Sequence, residues 1–193
     1  MARIFVVSDT HFFHHNMYGF LRADGTKVRP LWDNASDADR EMVERWNSVV
    51  TPEDHIYHLG DVTMLRSSAD IARFIAFIHT LNGHKRLILG NHDHFPVQVY
   101  REAGFQKIKG SHRIDRWAML THIPVHPDNL PRDGVNIHGH IHERLVMRLA
   151  GPSMDCGVPN WPPMTAREPD PRYRNVSVEQ INYTPVLLES LKP

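Results

Sequence analysis

The sequence predicts an α/β fold, and three observations lead to that class. Short apolar runs alternate with amphipathic segments along the chain. Most of the apolar runs are rich in β-branched residues, which favours strands. Polar residues follow several of these runs directly, as they do at the carboxyl ends of strands in open α/β sheets. A chain of 193 residues is short for two ordinary domains, so we expect one domain over residues 1–193.

Seven short apolar runs are predicted to be strands, and their lengths are those of buried strands. In chain order they are Ile4–Ser8, Ile56–Leu59, Arg86–Leu89, Trp117–Thr121, Val135–His138, Leu145–Leu149 and Arg174–Val178.

Three segments between the predicted strands are expected to be helices. Apolar residues at helical spacing after Ser36 indicate an amphipathic helix, with Ser36 as its N-cap. A second helix is expected over Ala69–Leu81, with Gly83 marking its end. Pro96 is expected to begin a shorter helix that stops near Gly104.

The segment 151–171 holds six prolines and shows little periodicity. This pattern predicts an extended loop, either a surface excursion or a flap over a functional site. Cys156, within this segment, is the only cysteine of the chain, which excludes an intrachain disulfide framework and a cysteine-based zinc site.

The composition is that of an ordinary globular protein, with 41% apolar and 23% charged residues. No run approaches the roughly 20 apolar residues of a membrane span, and the run Ile4–Val7 is too short for a signal peptide, so we expect a cytoplasmic protein. Lys plus Arg equals Asp plus Glu at 22 each, so no basic field favours long nucleic acid as a partner. Histidine is the outlier with 15 residues, and imidazole is the commonest metal ligand.

Residues able to bind metal come directly after the predicted strands, several of them preceded by a glycine. Because ligands of α/β sheets bind outside the carboxyl ends of strands, we expect these side chains to converge. Each motif is weak alone, since Asp-x-His and Gly-Asp occur in many ordinary loops. Their joint occurrence at strand ends predicts a metal cluster. The residues are Asp9, His11, Asp61, Asn91, His92, Asp93, His122, His140 and His142.

Together these motifs resemble the calcineurin-like metallophosphoesterase superfamily over most of the chain. The motifs are Asp9-x-His11, Gly60-Asp61, Gly90-Asn91-His92-Asp93, His122 and Gly139-His140-x-His142. In the tail, residues 175–179 and 182–186 are similar to the ending of small bacterial and phage-borne members. The resemblance implies a four-layer αββα sandwich of two mixed β-sheets flanked by helices.

The resemblance also implies a role for each residue. The metal ligands would be Asp9, His11 and His142 for one ion, Asn91, His122 and His140 for the other, and Asp61 for both. His92 would donate a proton to the leaving oxygen or stabilise its developing charge, and Asp93 would orient His92. Imidazole, carboxylate and carboxamide ligands suit manganese, iron, zinc, cobalt or nickel, and manganese is our working choice for the two divalent ions.

The reaction implied is hydrolysis of a phosphoester by a hydroxide that bridges two metal ions. We expect a small nucleotide-like substrate, with phosphodiesters favoured and phosphomonoesters close behind. His14, His15 and Asn16 are expected to line the mouth of the site, and Arg29 to reach a phosphate from the same insert.

Rival interpretations come from within and outside the superfamily. The Asp-Arg-Gly element of Ser/Thr protein phosphatases is absent after Asp61, which disfavours that activity. A catalytically silent scaffold of the same fold is the main alternative, and passive metal storage is another. The presence of His92 beside a complete ligand set argues against both.

Overall fold

The computed structural model describes residues 2–150 and 167–193 of the chain. Its strands and α-helices, in chain order, are β1 (Ile4–Val7), α1 (Ala35–Val49), β2 (His55–His58), α2 (Ile71–Ile78), β3 (His84–Ile88), α3 (Val97–Glu102), β4 (Lys107–Lys109), β5 (Ser111–Ile114), β6 (Ala118–Thr121), β7 (Val135–His138), β8 (Met147–Leu149), β9 (Arg167–Pro169), β10 (Tyr173–Asn175) and β11 (Val186–Leu187).

Nine of these strands form two mixed sheets. The five-stranded sheet has the order β11-β1-β2-β3-β4, and all its pairs are parallel except β11 with β1. The four-stranded sheet has the order β10-β7-β6-β5, with β5 antiparallel to β6. Strands β8 and β9 pair separately as an antiparallel ribbon.

The two sheets stack face to face, because alternate residues of each central strand point to opposite faces. Val6 and Ile88 on one sheet and Leu120 and Ile137 on the other belong to one buried apolar layer between them. The opposite face of the five-stranded sheet is covered by α1, α2 and α3. The predicted α/β sandwich of two mixed sheets is therefore confirmed. Over the residues described, all three α-helices lie on that outer face.

Helix α1 begins slightly earlier than its apolar pattern suggested, and the prediction of Ser36 as its N-cap is wrong. The cap is Asn34, whose backbone is extended and whose side-chain oxygen accepts a hydrogen bond from the N–H of Asp37 at 2.9 Å. The buried stripe includes Met42 and Trp46, as the helical spacing predicted.

Several strands were not predicted, because their sequences show the weakest strand pattern. β4, β5 and β11 are short edge strands, and β4 and β5 each carry charged or polar residues. β9 lies inside the predicted loop 151–171, so that prediction is wrong for residues 167–169, while residues 151–166 with Cys156 lie outside the described part. None of the helices in the described residues combines the length and the hydropathy of a membrane span.

Candidate metal centre

The predicted ligands lie on loops that follow parallel strands. β1, β2 and β3 run parallel in one sheet, and β6 and β7 run parallel in the other, so each set of loops emerges at one edge. The loops are tied to one another by backbone hydrogen bonds. The N–H of Asp9 donates to the carbonyl of Gly60 at 3.0 Å, and the N–H of Gly139 donates to the carbonyl of His122 at 2.9 Å.

The side chains form two clusters, and in each cluster three ligand atoms lie within 4.8 Å of one another. The clusters are Asp9 with His11 and His142, and Asp61 with His122 and His140. Segments more than 100 residues apart in sequence therefore meet at one place, as the strand-end positions predicted.

Asp61 lies between the clusters. Its Oδ2 is 3.6 Å from Nε2 of His11 in the first cluster and 3.4 Å from Nε2 of His122 in the second. The side chain is 2% exposed, so both contacts are buried. The position of this one oxygen is compatible with a carboxylate shared by two ions.

The second cluster extends to Asn91, whose Oδ1 lies 2.9 Å from Nε2 of His122. Nδ1 of His122 lies 2.8 Å from the carbonyl oxygen of Leu59, which can only accept a hydrogen bond, so Nδ1 carries the proton. In the neutral ring that binds metal, Nε2 of His122 then carries the lone pair and faces Asp61 and Asn91. An outer hydrogen bond of this kind fixes an imidazole for metal binding.

Asp9 follows β1 of the five-stranded sheet and is held by two groups that follow strands of the other sheet. Its Oδ2 accepts hydrogen bonds from the backbone N–H of His140 and from Oγ of Ser177, each at 2.9 Å. The side chain is fully buried. The carboxylate therefore keeps one orientation relative to His11 and His142.

His92 lies at the edge of the clusters, and its ring centre is 5.4 Å from that of His11. Its backbone N–H donates to Oδ1 of Asp61 at 2.8 Å. The guanidinium of Arg66 lies 3.2 Å from Nδ1 of His92 and can only donate, so Nδ1 accepts and Nε2 carries the ring proton of the neutral imidazole. His92, His11 and His142 line one side of a cavity of about 560 Å³.

Burial and contact between opposite charges shift the pKa values of the clustered residues in opposite directions. Burial raises the pKa of Asp9 and lowers the pKa of His11 well below its usual value. Burial also opposes the charges of Asp61 and His122, but their mutual contact outweighs it, so the pKa of Asp61 is lowered and that of His122 is raised. Because metal ligands bind in their deprotonated form, metal binding here would release protons.

Asp93 does not have the predicted role of orienting His92. Its carboxylate accepts hydrogen bonds from the backbone N–H groups of Asp61, Val62 and Gly90 at 2.8 to 3.0 Å. These bonds hold the loop after β2 against the loop after β3. Asp93 therefore supports the backbone that carries Asp61 and His92, and Arg66 is the side chain that bonds the His92 ring.

The prediction that Arg29 reaches a substrate phosphate is also wrong. Its side chain is 0% exposed, and its donors are used inside the protein. Nε donates to Glu179 at 2.9 Å, and the two terminal nitrogens donate to the backbone carbonyls of Thr10 and Asp9. A guanidinium with these partners stabilises the first ligand loop and has no free face for a ligand.

The other predicted substrate residues lie in different places. His14 lines the cavity beside His11, with the two ring centres 5.7 Å apart. His15 lines a separate groove beside Asp39. Asn16 is exposed and lies outside both sets of lining residues. The structure thus brings one of these three residues to the cavity.

Sequence reasoning missed Glu179, Ser177 and Arg66 as parts of the site. Ser177 and Glu179 lie in the tail that carried part of the resemblance, at alternate positions among buried valines. Polar residues alternating with valines in a short strand-like run were the available signal. Arg66 gave none, because an arginine on a loop is usually solvated.

The donor set fits divalent metal ions. Nε2 of His11 is a buried nitrogen with no hydrogen-bond partner in the structure, and it faces the carboxylates of Asp9 and Asp61. Buried polar atoms are normally paired, so an unpaired nitrogen among carboxylates indicates a place for a cation. The two clusters are compatible with two ions, and nitrogen and oxygen ligands without thiolate suit several metals.

Comparison with known proteins finds relatives that match most of the chain. No profile of a known protein family matches it. The uncharacterized protein MJ1445 of Methanocaldococcus jannaschii is 32% identical over 98% of this chain and 89% of its own length. The Gene 66 protein of Mycobacterium phage L5 is 24% identical over 87% of this chain and 92% of its own length.

A solved structure shows the same fold. The protein of unknown function AQ665 from Aquifex aeolicus superposes with a TM-score of 0.60 at 21% identity, covering 99% of this chain and 98% of that chain. Sequence similarity along nearly its whole length shows that the chain belongs to the family of the uncharacterized archaeal protein MJ1445.

Proposed function

We propose that the protein is a dinuclear metal-dependent phosphoesterase of the calcineurin-like superfamily. The observation that carries the proposal is the position of Asp61, one of whose oxygens lies within 3.6 Å of a histidine nitrogen from each cluster. Two three-ligand clusters with a carboxylate between them suit a pair of neighbouring ions, which two-metal phosphoesterases use. Manganese remains our working choice, because the nitrogen and oxygen ligands suit it and include no thiolate.

When bound, two divalent ions supply the positive charge that acidifies water and neutralises phosphoryl oxygens. The residues of the chain would prepare the site for that charge. Asp9 and Asp61 are buried and oriented by hydrogen bonds from backbone and side-chain donors. They offset part of the charge of two dications and leave the site positive towards an anionic ester.

His92 is the proposed proton donor to the leaving oxygen. Arg66 fixes the proton of its neutral ring on Nε2, and the bond from its backbone N–H to Asp61 fixes its distance from both clusters. The ring borders the same cavity as His11 and His142. A donor in this position protonates a leaving alkoxide without itself being a metal ligand.

The cavity supports an organic ester as the substrate. Its volume of about 560 Å³ lies within the range of small-molecule sites and exceeds what a bare phosphate needs. Met17, Phe20, Val28 and Ile141 form an apolar wall beside the histidines, and Glu143 and Arg144 add one charge of each sign. We propose that the phosphoryl group binds at the clusters and that a nucleotide-like group, preferably of a phosphodiester, contacts the apolar wall.

A metal-reconstituted screen tests the proposal. Wild type loaded with Mn²⁺ is assayed on monoesters, diesters and cyclic diesters beside His92→Ala and His94→Ala. We expect His92→Ala to lose about 10² to 10⁴-fold in kcat with metal content unchanged, because one proton donor contributes that much. His94 is exposed and its ring packs edge-on against that of His92, with the ring centres 6.1 Å apart, so its variant controls for the loss of a neighbouring imidazole.

The outcomes separate the alternatives. A wild-type protein that binds two ions but hydrolyses none of the esters would favour the silent scaffold. Full activity of His92→Ala would leave the phosphoesterase in place but remove the proposed role of His92. A preference for monoesters would change the proposed substrate from a phosphodiester to a phosphomonoester and leave the rest of the proposal intact.

A further inference from the structure

Glu179 is a buried carboxylate that lies behind the first metal cluster. Its side chain is 2% exposed, and Oε2 lies 3.2 Å from Nδ1 of His142. Among the described residues, neither cluster of ligand atoms within 4.8 Å includes Glu179. The carboxylate therefore contacts a ligand without belonging to the ligand set.

The other oxygen of Glu179 is bound to Arg29. Oε1 accepts from Nε of Arg29 at 2.9 Å, and the two terminal nitrogens of Arg29 donate to the carbonyls of Asp9 and Thr10 at 2.7 and 2.9 Å. Both side chains are buried, and a charge in this position needs a partner of opposite sign. The pair thus joins the loop that carries Asp9 to the ring of His142.

We infer that Glu179 is a positioning residue, which holds the Nδ1 proton of His142 and leaves Nε2 of that ring free to bind the first metal ion. The 3.2 Å contact is not aligned as a full hydrogen bond in the structure, and neither buried atom has another partner. Because a carboxylate can only accept a hydrogen bond, a proton shared between Oε2 and Nδ1 belongs to the imidazole. Outer carboxylates fix the tautomer and orientation of ligating histidines in this way. Arg29 keeps Glu179 charged and in place. The inference rests on the proposed metal site and deepens it.

The variant Glu179→Gln distinguishes control of the His142 proton from simple packing. The amide has nearly the shape of the carboxylate but offers one acceptor and one donor. The N–H of Arg29 requires the acceptor, so the amide N–H₂ faces His142 and can bond only to an unprotonated Nδ1. The proton then moves to Nε2, which loses the lone pair that the metal needs.

Two measurements test the inference. The first is the ¹⁵N chemical shift of the His142 ring in metal-free protein, at a pH where the ring is neutral, assigned by its loss in His142→Ala. We expect the Nδ1–H tautomer in wild type and the Nε2–H tautomer in Glu179→Gln. The second is a Mn²⁺ titration by calorimetry. We expect Glu179→Gln to bind one ion as wild type does and the other about 10 to 100-fold more weakly.

Asp54→Asn is the matched control. Asp54 is also a buried carboxylate paired with an arginine, Arg3 at 2.7 Å, but it belongs to neither cluster. Its variant should keep both ions at wild-type affinity. If Asp54→Asn weakens one ion as much as Glu179→Gln does, the effect is structural and the inference fails.

The remaining outcomes are distinguishable. An Nε2–H tautomer of His142 in wild type overturns the inference without the Glu179 variant, so the test stands even if Glu179→Gln does not fold. Equal affinity of both ions in Glu179→Gln and wild type also overturns it while leaving the phosphoesterase intact. Two bound ions without hydrolysis of any ester would count against the proposed function and leave the tautomer result standing.

Discussion

Most of the predicted ligands have an unusual backbone. Their φ angles lie in the left-handed region, which residues with a Cβ adopt only when the surroundings compensate a cost of about 1 to 3 kcal/mol each. They are Asp9 (59°), His11 (47°), Asp61 (57°), His140 (70°) and His142 (51°). Such strain concentrates at functional sites, and here each residue turns its side chain towards the clusters at the point where a strand ends.

The glycines beside these residues have a different role, because the lack of a Cβ lets neighbouring groups approach the backbone closely. A Cβ on Gly139 would collide with the carboxylate of Asp9 and with Oγ of Ser8. We expect Gly139→Ala to lower the free energy of unfolding by about 1 to 3 kcal/mol, because an inserted methyl group forces buried neighbours to move. It should also weaken the first metal ion, since Asp9 would turn away from His11.

Urea denaturation and a Mn²⁺ titration measure the two effects of Gly139→Ala. Gly110→Ala is the control, because a Cβ at Gly110 would meet no atom within 4 Å and its φ is not in the left-handed region. Equal stability and equal metal binding of the two variants would show that the close approach at Gly139 is unimportant.

The start of α1 offers a direct test of which residue caps the helix. Asn34 caps the helix through its side-chain oxygen, whereas Ser36 lies within the first turn. Asn34→Ala should lower the free energy of unfolding by about 0.5 to 2 kcal/mol, because the N–H of Asp37 loses its acceptor. Ser36→Ala should change it by less, since alanine is favoured inside a helix. Denaturant midpoints of both variants, compared with wild type, decide between the two caps.

The elements that the sequence predicted are those with a strong local pattern. β1, β2, β3, β6 and β7 are apolar runs that end in polar residues, so both their existence and the position of the ligands after them could be read from the chain. The weak edge strands β4, β5 and β11 have no such pattern, because their pairing depends on a neighbouring strand rather than on their own residues.

At the scale of the molecule, the contacts that sequence reasoning missed join distant segments. Arg29 and Glu179 are 150 residues apart, and nothing near either residue indicates the other. The prediction that Arg29 reaches a phosphate is wrong because its buried partner could not be read from the sequence. The burial of Arg29 follows from the docking of the tail against β1, where Ser177 pairs with Ser8 in a parallel bridge. The clusters could be predicted from motifs, whereas their supporting contacts required the fold.

The stability of the whole molecule should depend on pH through Asp39, a residue of α1 outside both clusters. Burial raises the pKa of Asp39 to about 6, although the backbone N–H of Phe13 donates to it at 2.9 Å. Its other oxygen is buried and has no hydrogen-bond partner. The folded state therefore holds a proton that the unfolded chain, with the ordinary aspartate pKa of 3.8, releases earlier as the pH rises.

The sign of the effect follows from that difference. Between the two pKa values the folded state binds more protons than the unfolded state, so the contribution of Asp39 to stability falls as the pH rises from about 4 to 6 and is then constant. Asp39→Asn keeps an acceptor for Phe13 and removes the titration. Relative to wild type, the variant should gain on the order of 2 kcal/mol between pH 4 and pH 7. Urea denaturation of both proteins across this range measures the gain, and a constant difference would show that Asp39 titrates alike in the folded and unfolded states.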